Sequence, residues 1–150
     1  FSGYLGRDSS DAFQELDGDR YYVTGDLGFL DDRGYLTLAG RLKRFVKVAG
    51  EMVSLPAMEA AIAAHWPNEE GVVRTAVSAY EVEGERPTLC LFSSFEVSTD
   101  DVNAVLKEAG FANLVRVSKV IRLDEIPILG TGKTDYQALK RRLAEALDRE

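Results

Sequence analysis

Apolar residues along this chain alternate between a period of two and a period near 3.6, and the changes of period predict its elements. Tyr21-Tyr22-Val23-Thr24 is β-prone, and Phe29-Leu30 leads through Asp31-Asp32-Arg33-Gly34 into Tyr35-Leu36-Thr37-Leu38-Ala39. That sequence predicts a β-hairpin turning at 32–34. Alternation in Phe45-Val46-Lys47-Val48-Ala49 predicts a short half-buried strand, with Gly50-Glu51 as a tight turn back through Met52-Val53. Ser54 then caps a helix with Pro56 in its first turn, where a missing N–H costs nothing. Met58, Ile62 and Trp66 line one face of that helix, and Pro67 ends it. His65, beside that face, reads as a boundary residue, since no second ligand pairs with it at helical spacing.

Residues 72–80 and 88–94 predict two antiparallel strands joined by an acidic turn with Gly84 at its centre. Ser98 and Asp101 resemble a capping box that opens a helix with Val102, Val105, Leu106 and Ala109 on one face and Gly110 past its end. A third strand is predicted at 115–123, and a last helix has Tyr136, Leu139, Leu143 and Leu147 facing inward. The order helix, two strands, helix, strand, helix is that of a compact α+β domain over residues 44–150. Residues 1–20, rich in Gly, Ser and Asp, read as loop with one edge strand, and residues 1–40 stand outside the core.

With 150 residues the chain has room for one domain of ordinary size. A net charge of −7 argues against a nucleic-acid binder that works by neutralising phosphate. Cys90 is the one cysteine, which removes disulfide frameworks and cysteine-rich zinc sites and fits a reducing cytoplasm. In Thr88-Leu89-Cys90-Leu91-Phe92 it reads as a small core residue. No apolar run reaches transmembrane length and no signal-peptide pattern is present. The start at Phe1, without methionine, is expected of a piece of something longer.

The charge is unevenly placed. The first 32 residues hold eight acidic and two basic side chains, whereas the next glycine-bounded stretch gathers Arg41, Lys43, Arg44 and Lys47. A basic hairpin after a hinge-like Gly40-Arg41 is either a soluble edge or a mobile element for an anionic ligand. Gly130-Thr131-Gly132-Lys133-Thr134 invites comparison with phosphate loops, but Pro127 stands where a P-loop needs its first glycine and Asp135 where a dinucleotide fingerprint needs its third. What remains is a lysine on a flexible loop before a helix, a compact charge able to reach a phosphate or carboxylate oxygen, or a solvated turn residue. Thr24-Gly25-Asp26 places a carboxylate at a strand end, where it can accept ribose hydroxyls or form an ordinary Asx-turn. Arg41 could reach the same sugar or its phosphate with a fork of donors.

Together, Thr24-Gly25-Asp26-Leu27-Gly28, then Gly40-Arg41-x-Lys43-x-x-x-Lys47-x-x-Gly50-x-x-Val53, then Pro127 and Gly132-Lys133 resemble, in order and spacing, the adenylate-forming superfamily of acyl-CoA synthetases, peptide-synthetase adenylation domains and luciferases. Residues 49–55 and 127–133 are most similar to the acyl-acyl carrier protein synthetase half of bacterial 2-acylglycerophosphoethanolamine acyltransferase/acyl-carrier-protein synthetases. The resemblance implies an AMP-forming acid-thiol ligase that makes an acyl-adenylate from a fatty acid and ATP and passes the acyl group to a phosphopantetheine thiol. It implies residues 1–42 as the end of the large adenylation domain and 43–150 as the mobile C-terminal lid. Asp26 and Thr24 would bind the nucleotide, Arg41 its ribose or phosphate, and Lys43 would be the hinge. Lys133 and Lys47 would be catalytic in turn, with Gly50 beside the pantetheine arm.

ATP and Mg2+ are the implied cofactors, the metal held mainly by the large domain. Acyl carrier protein or CoA, a fatty acid and the protein's own N-terminal domain are the implied partners. The implied location is cytoplasmic, with association of the parent at the inner membrane left open. Three positions depart from the family pattern: the proline of Leu55-Pro56-Ala57-Met58-Glu59 falls one place late, Ala57 stands for a glutamate, and Tyr136 replaces a frequent arginine. These leave a CoA ligase for a fatty or aromatic acid as an alternative, and a carrier-protein docking module, using Arg41, Arg44 and Lys47, as another.

Overall fold

The computed structural model describes residues 12–69 and 71–147 and divides the chain into two units, residues 1–43 and 44–150. The predicted N-terminal loop falls at 1–11 outside the described residues. Its remainder differs from expectation. β1 (Phe13–Leu16) and β2 (Asp19–Tyr22) pair antiparallel, with Phe13 opposite Tyr22. Asp17 and Gly18 both adopt positive φ, 54° and 85°, which gives the two-residue turn whose twist matches that of the strands. Tyr21 and Tyr22 therefore pair backwards, onto Gln14 and Phe13.

The second hairpin forms as its pattern predicts. β3 (Asp26–Leu30) pairs with β4 (Leu36–Arg41), and Asp31 Oδ1 accepts the N–H groups of Arg33 and Tyr35 at 2.9 and 2.8 Å, closing the turn. A bulge falls between Leu27 and Gly28. A Cβ on Gly28 would lie 2.9 Å from the Thr37 carbonyl, so no larger residue fits there without a backbone shift.

A 3-10 turn, Leu42–Arg44, carries the chain from the first unit into the second, followed by the hairpin of β5 (Phe45–Val48) and β6 (Glu51–Ser54). Its turn is Ala49-Gly50, with φ of 50° and 94°, one residue earlier than predicted, because two successive left-handed residues close a two-residue loop. α1 (Leu55–His65) starts at Ser54, whose hydroxyl accepts the Ala57 N–H at 3.2 Å, with Pro56 in the first turn. β7 (Thr75–Tyr80), β8 (Thr88–Ser93) and β9 (Val117–Arg122) form the sheet, β7 antiparallel and β9 parallel to the central β8. α2 (Thr99–Glu108) carries the predicted cap: the Ser98 hydroxyl accepts the Asp101 N–H and donates to its carboxylate. α3 (Tyr136–Leu147) closes the unit.

Period two along the strands sorts the core into two layers. Val77, Leu89, Leu91 and Val117 face the β5–β6 hairpin, α1 and α2 through Val46, Val48, Met58, Ile62, Val102 and Leu106. Ala76, Cys90 and Phe92 face α3 through Leu139 and Leu143. This is the α+β architecture predicted: a three-stranded sheet, a basic hairpin and three helices, preceded by β-hairpins. Among the described residues no helix is long and apolar enough to cross a membrane.

Candidate functional site

In the first unit, Thr24, Asp26 and Arg41 come together at one end of β3 and β4. The β-ladder sets Asp26 opposite Arg41, the Arg41 Nε lies 2.8 Å from Asp26 Oδ1, and the guanidinium also donates to the Thr24 carbonyl at 2.8 Å. The Asp26 N–H donates to the Thr24 hydroxyl at 3.0 Å. The Asp26 side chain is one-third exposed, so a fixed carboxylate faces solvent, able to accept hydroxyls from a diol. Lys43, the last residue of this unit, lies exposed in the 3-10 turn.

In the second unit the β5–β6 hairpin buries Val46, Val48 and Val53 and turns Lys47 and its cross-strand neighbour Met52 to solvent. Lys47, Ala49 and Gly50 line a cleft of about 500 Å³ whose opposite wall is the β7–β8 connection, including Glu81, Glu85 and Pro87. A side chain at residue 50 would project into open space but strain a backbone at φ 94°.

Lys133 stands on a loop ordered by its own backbone. Ile128 and Thr134 form an antiparallel bridge, the Leu129 N–H donates to the Lys133 carbonyl at 2.7 Å, and the Asp135 N–H donates to the Pro127 carbonyl at 2.8 Å. Asp135, which spoils the dinucleotide fingerprint, caps α3 instead, its Oδ1 accepting the Gln137 and Ala138 N–H groups at 3.0 Å each. The Lys133 side chain is exposed. Among the described residues neither Lys47 nor Lys133 forms an ion pair. Their supporting elements lie on opposite faces of the sheet, the hairpin in one core layer and α3 in the other.

The sequence pattern does not reveal a partly buried cluster. Arg44 donates to the Val77 carbonyl at 3.0 Å, pairs with Glu59 at 2.7 Å and lies over the Tyr136 ring, 3.6 Å from its centroid. Glu59 Oε1 accepts the Val77 N–H at 2.7 Å, and the Tyr136 hydroxyl lies 3.1 and 3.0 Å from the two carboxylate oxygens. Burial and the Glu59 charge raise the Tyr136 pKa, in that order. Two cations of the basic stretch thus have acidic partners, Arg41 in Asp26 and Arg44 in Glu59. The signal was the Glu59 carboxylate, one position beyond the buried Met58 on α1.

Among the described residues no group of three or more His, Cys, Asp or Glu side chains is arranged to hold a metal ion. His65 is exposed and its ring meets Trp66 edge-on, 4.5 Å between centroids. Burial pushes the Cys90 thiol up to about 12, against smaller opposing effects of Lys119 and the Ile121 backbone.

No family model matches the chain. 4-Coumarate–CoA ligase 1 of Arabidopsis thaliana is 33% identical over 148 residues, which cover 97% of this chain and 26% of that protein. Enterobactin synthase component E of Escherichia coli is 28% identical over 146 residues, 96% of this chain and 26% of its own. The crystal structure of ATP-bound MatB from Rhodopseudomonas palustris matches with a TM-score of 0.69 at 26% identity, over 95% of this chain and 28% of that one. The chain corresponds to the C-terminal part of the adenylate-forming ligases. The chain spans about a quarter of the length of these two curated relatives, and its fold matches the C-terminal domain of adenylate-forming enzymes.

Proposed function

We propose that this chain works as the C-terminal part of an AMP-forming acid-thiol ligase that activates a fatty acid and loads it on acyl carrier protein. In the first step a carboxylate oxygen attacks the α-phosphorus of ATP, the bond to the bridging oxygen breaks and pyrophosphate leaves. In the second the thiolate of a phosphopantetheine arm attacks the acyl carbon and AMP departs. The single observation carrying this reading is the presence of two exposed, unpaired lysines, Lys133 and Lys47, on elements from opposite faces of one sheet. A domain built so can present one lysine to each half-reaction.

In the proposed roles, Asp26, fixed by Arg41 and Thr24, accepts the ribose hydroxyls. Lys133 offsets the charge that develops on the carboxylate and α-phosphate oxygens in the pentavalent transition state. Lys47 and Gly50 face the adenylate in the second step, with the pantetheine arm passing along the cleft beside them. Lys43 is the hinge, between residues 1–42 as the end of the large domain and 43–150 as the mobile lid. The donor set here suits a nucleotide sugar and phosphate. Its one carboxylate, Asp26, is engaged by Arg41, and no step is assigned to Mg2+ on these residues.

The first unit supports this reading. Leu30, Leu36 and Leu38, which share one face of the β3–β4 hairpin, are 63–68% exposed, and Phe29 on the other face is 59% exposed. An upstream adenylation domain would cover them.

The test is carboxylate-dependent exchange of labelled pyrophosphate into ATP by the full-length protein, wild type beside Lys133→Ala, with fatty acids of several lengths. Exchange that needs the acid and collapses by about 100-fold or more without Lys133 is expected. The isolated 150 residues are expected to show none. A second reading, with CoA as acceptor, is favoured by the named activity of the Arabidopsis relative. Thioester formation offered carrier protein and CoA side by side separates the two.

A further inference from the structure

Lys133 must be held to within a fraction of an ångström to act on an oxyanion, yet its loop has little packing of its own. Ile128 and Leu129 are 57% and 46% exposed, whereas Ile126 anchors the entry with 5% exposure. The exit is Tyr136, three residues after Lys133 and the first residue of α3. Its hydroxyl is bound to Glu59 and its ring lies beneath Arg44, which stands three residues before Lys47. Glu59 and Arg44 also take up the N–H and C=O of Val77, the groups that β7, an edge strand, turns away from β8. One carboxylate thus ties the Lys133 loop to α1, to the sheet edge and to the first residue of the second unit.

We infer that Arg44, Glu59 and Tyr136 are positioning residues for Lys133, holding the exit of its loop in fixed register with the start of the unit. The inference rests on the ligase reading above. It predicts a split between half-reactions, because Lys133 serves adenylate formation and not thiol transfer.

The test uses the full-length protein with Glu59→Gln and Tyr136→Phe, the second removing only the hydroxyl and keeping the ring beneath Arg44. Pyrophosphate exchange is measured beside thioester formation from supplied acyl-adenylate, at a temperature below unfolding of every variant. Exchange is expected to fall about tenfold for Glu59→Gln and about threefold for Tyr136→Phe, with thioester formation within about twofold of wild type. Equal losses in both half-reactions would mark a merely structural cluster, and unchanged exchange in both variants would overturn the proposal. If Glu59→Gln does not fold, Tyr136→Phe alone decides between these outcomes. Absence of carboxylate-dependent exchange in the wild type overturns the ligase reading and this role with it.

Discussion

Two hairpins of similar pattern end in different surroundings. The β5–β6 hairpin buries Val46, Val48 and Val53 to 6% exposure or less, while the β3–β4 hairpin leaves Leu36 and Leu38 at 63% and 67%. Both have an antiparallel ladder, interrupted in β3–β4 by one bulge, and a turn with a positive-φ glycine, Gly50 or Gly34. The difference lies in the next element of the chain. β6 runs directly into α1, whose Met58 and Ile62 complete the core layer over the hairpin valines. β4 runs into a three-residue turn and out of its unit. Local pattern makes a hairpin, and the neighbour supplied by the chain decides whether its apolar face is satisfied.

The largest way to break this contrast is to shorten one leucine in each unit. Leu91→Ala, at a fully buried position of β8, is expected to cost about 2–5 kcal/mol through lost burial and the cavity left behind. Leu38→Ala in the 150-residue chain should change stability by no more than about 0.5 kcal/mol. Urea unfolding followed by Trp66, the one tryptophan, reads the cost at Leu91 in the second unit, and amide exchange across the β3–β4 ladder reads the cost at Leu38 in the first. Equal costs at the two positions would mean that the first hairpin has a covering partner within the chain.

Alkaline pH should separate the units as well. The Cys90 thiol is pushed up to about 12 by burial, from an ordinary value of 9.0. Above the lower value the unfolded chain loses a proton that the folded chain retains, so stability is full below pH 9.0 and falls as pH rises towards about 12. The expected slope is about 1.4 kcal/mol per pH unit inside that window. Cys90→Ala should flatten it, whatever the substitution costs at neutral pH. Tyr136, whose pKa is also raised, adds to the slope at the upper end, and Cys90→Ala with Tyr136→Phe should remove both contributions.

The chain's own pattern made the second unit nearly readable. Its strands alternate, Ser54 and Ser98 cap helices, and every long apolar face found a partner inside the same sequence. The first hairpin was missed because Asp17-Gly18 lies among other turn-forming residues, and β1 has exposed residues at all but Phe13, so no buried face announced it. Thr24, Asp26 and Arg41 were legible as candidates from motif spacing, and strand register explains their meeting. Arg44 was misread because a cation in a basic run looks solvated. Its partner Glu59 lies on another element, and only tertiary packing of β5, α1 and α3 joins them. Charge counts along a sequence do not show which charges are already neutralised.

The smallest prediction returns to the turns of two hairpins. Asp17-Gly18 and Ala49-Gly50 both place two successive residues at positive φ, but aspartate tolerates that region far better than alanine. Ala49 therefore carries backbone strain that Asp17 largely avoids. Ala49→Asn should relieve it and stabilise the second unit by up to about 1 kcal/mol, whereas Asp17→Ala should weaken the first hairpin by a similar amount. Melting curves read through Trp66 would report the first change, and amide exchange at Tyr21 and Tyr22, which pair across β1, would report the second. Because Ala49 lines the Lys47 cleft, the gain also bears on function. If Ala49→Asn stabilises the unit while slowing thioester formation and leaving pyrophosphate exchange intact, the strained turn belongs to the second half-reaction. If both half-reactions are unchanged, the alanine is strain without a function, and the cleft tolerates a larger side chain at its rim.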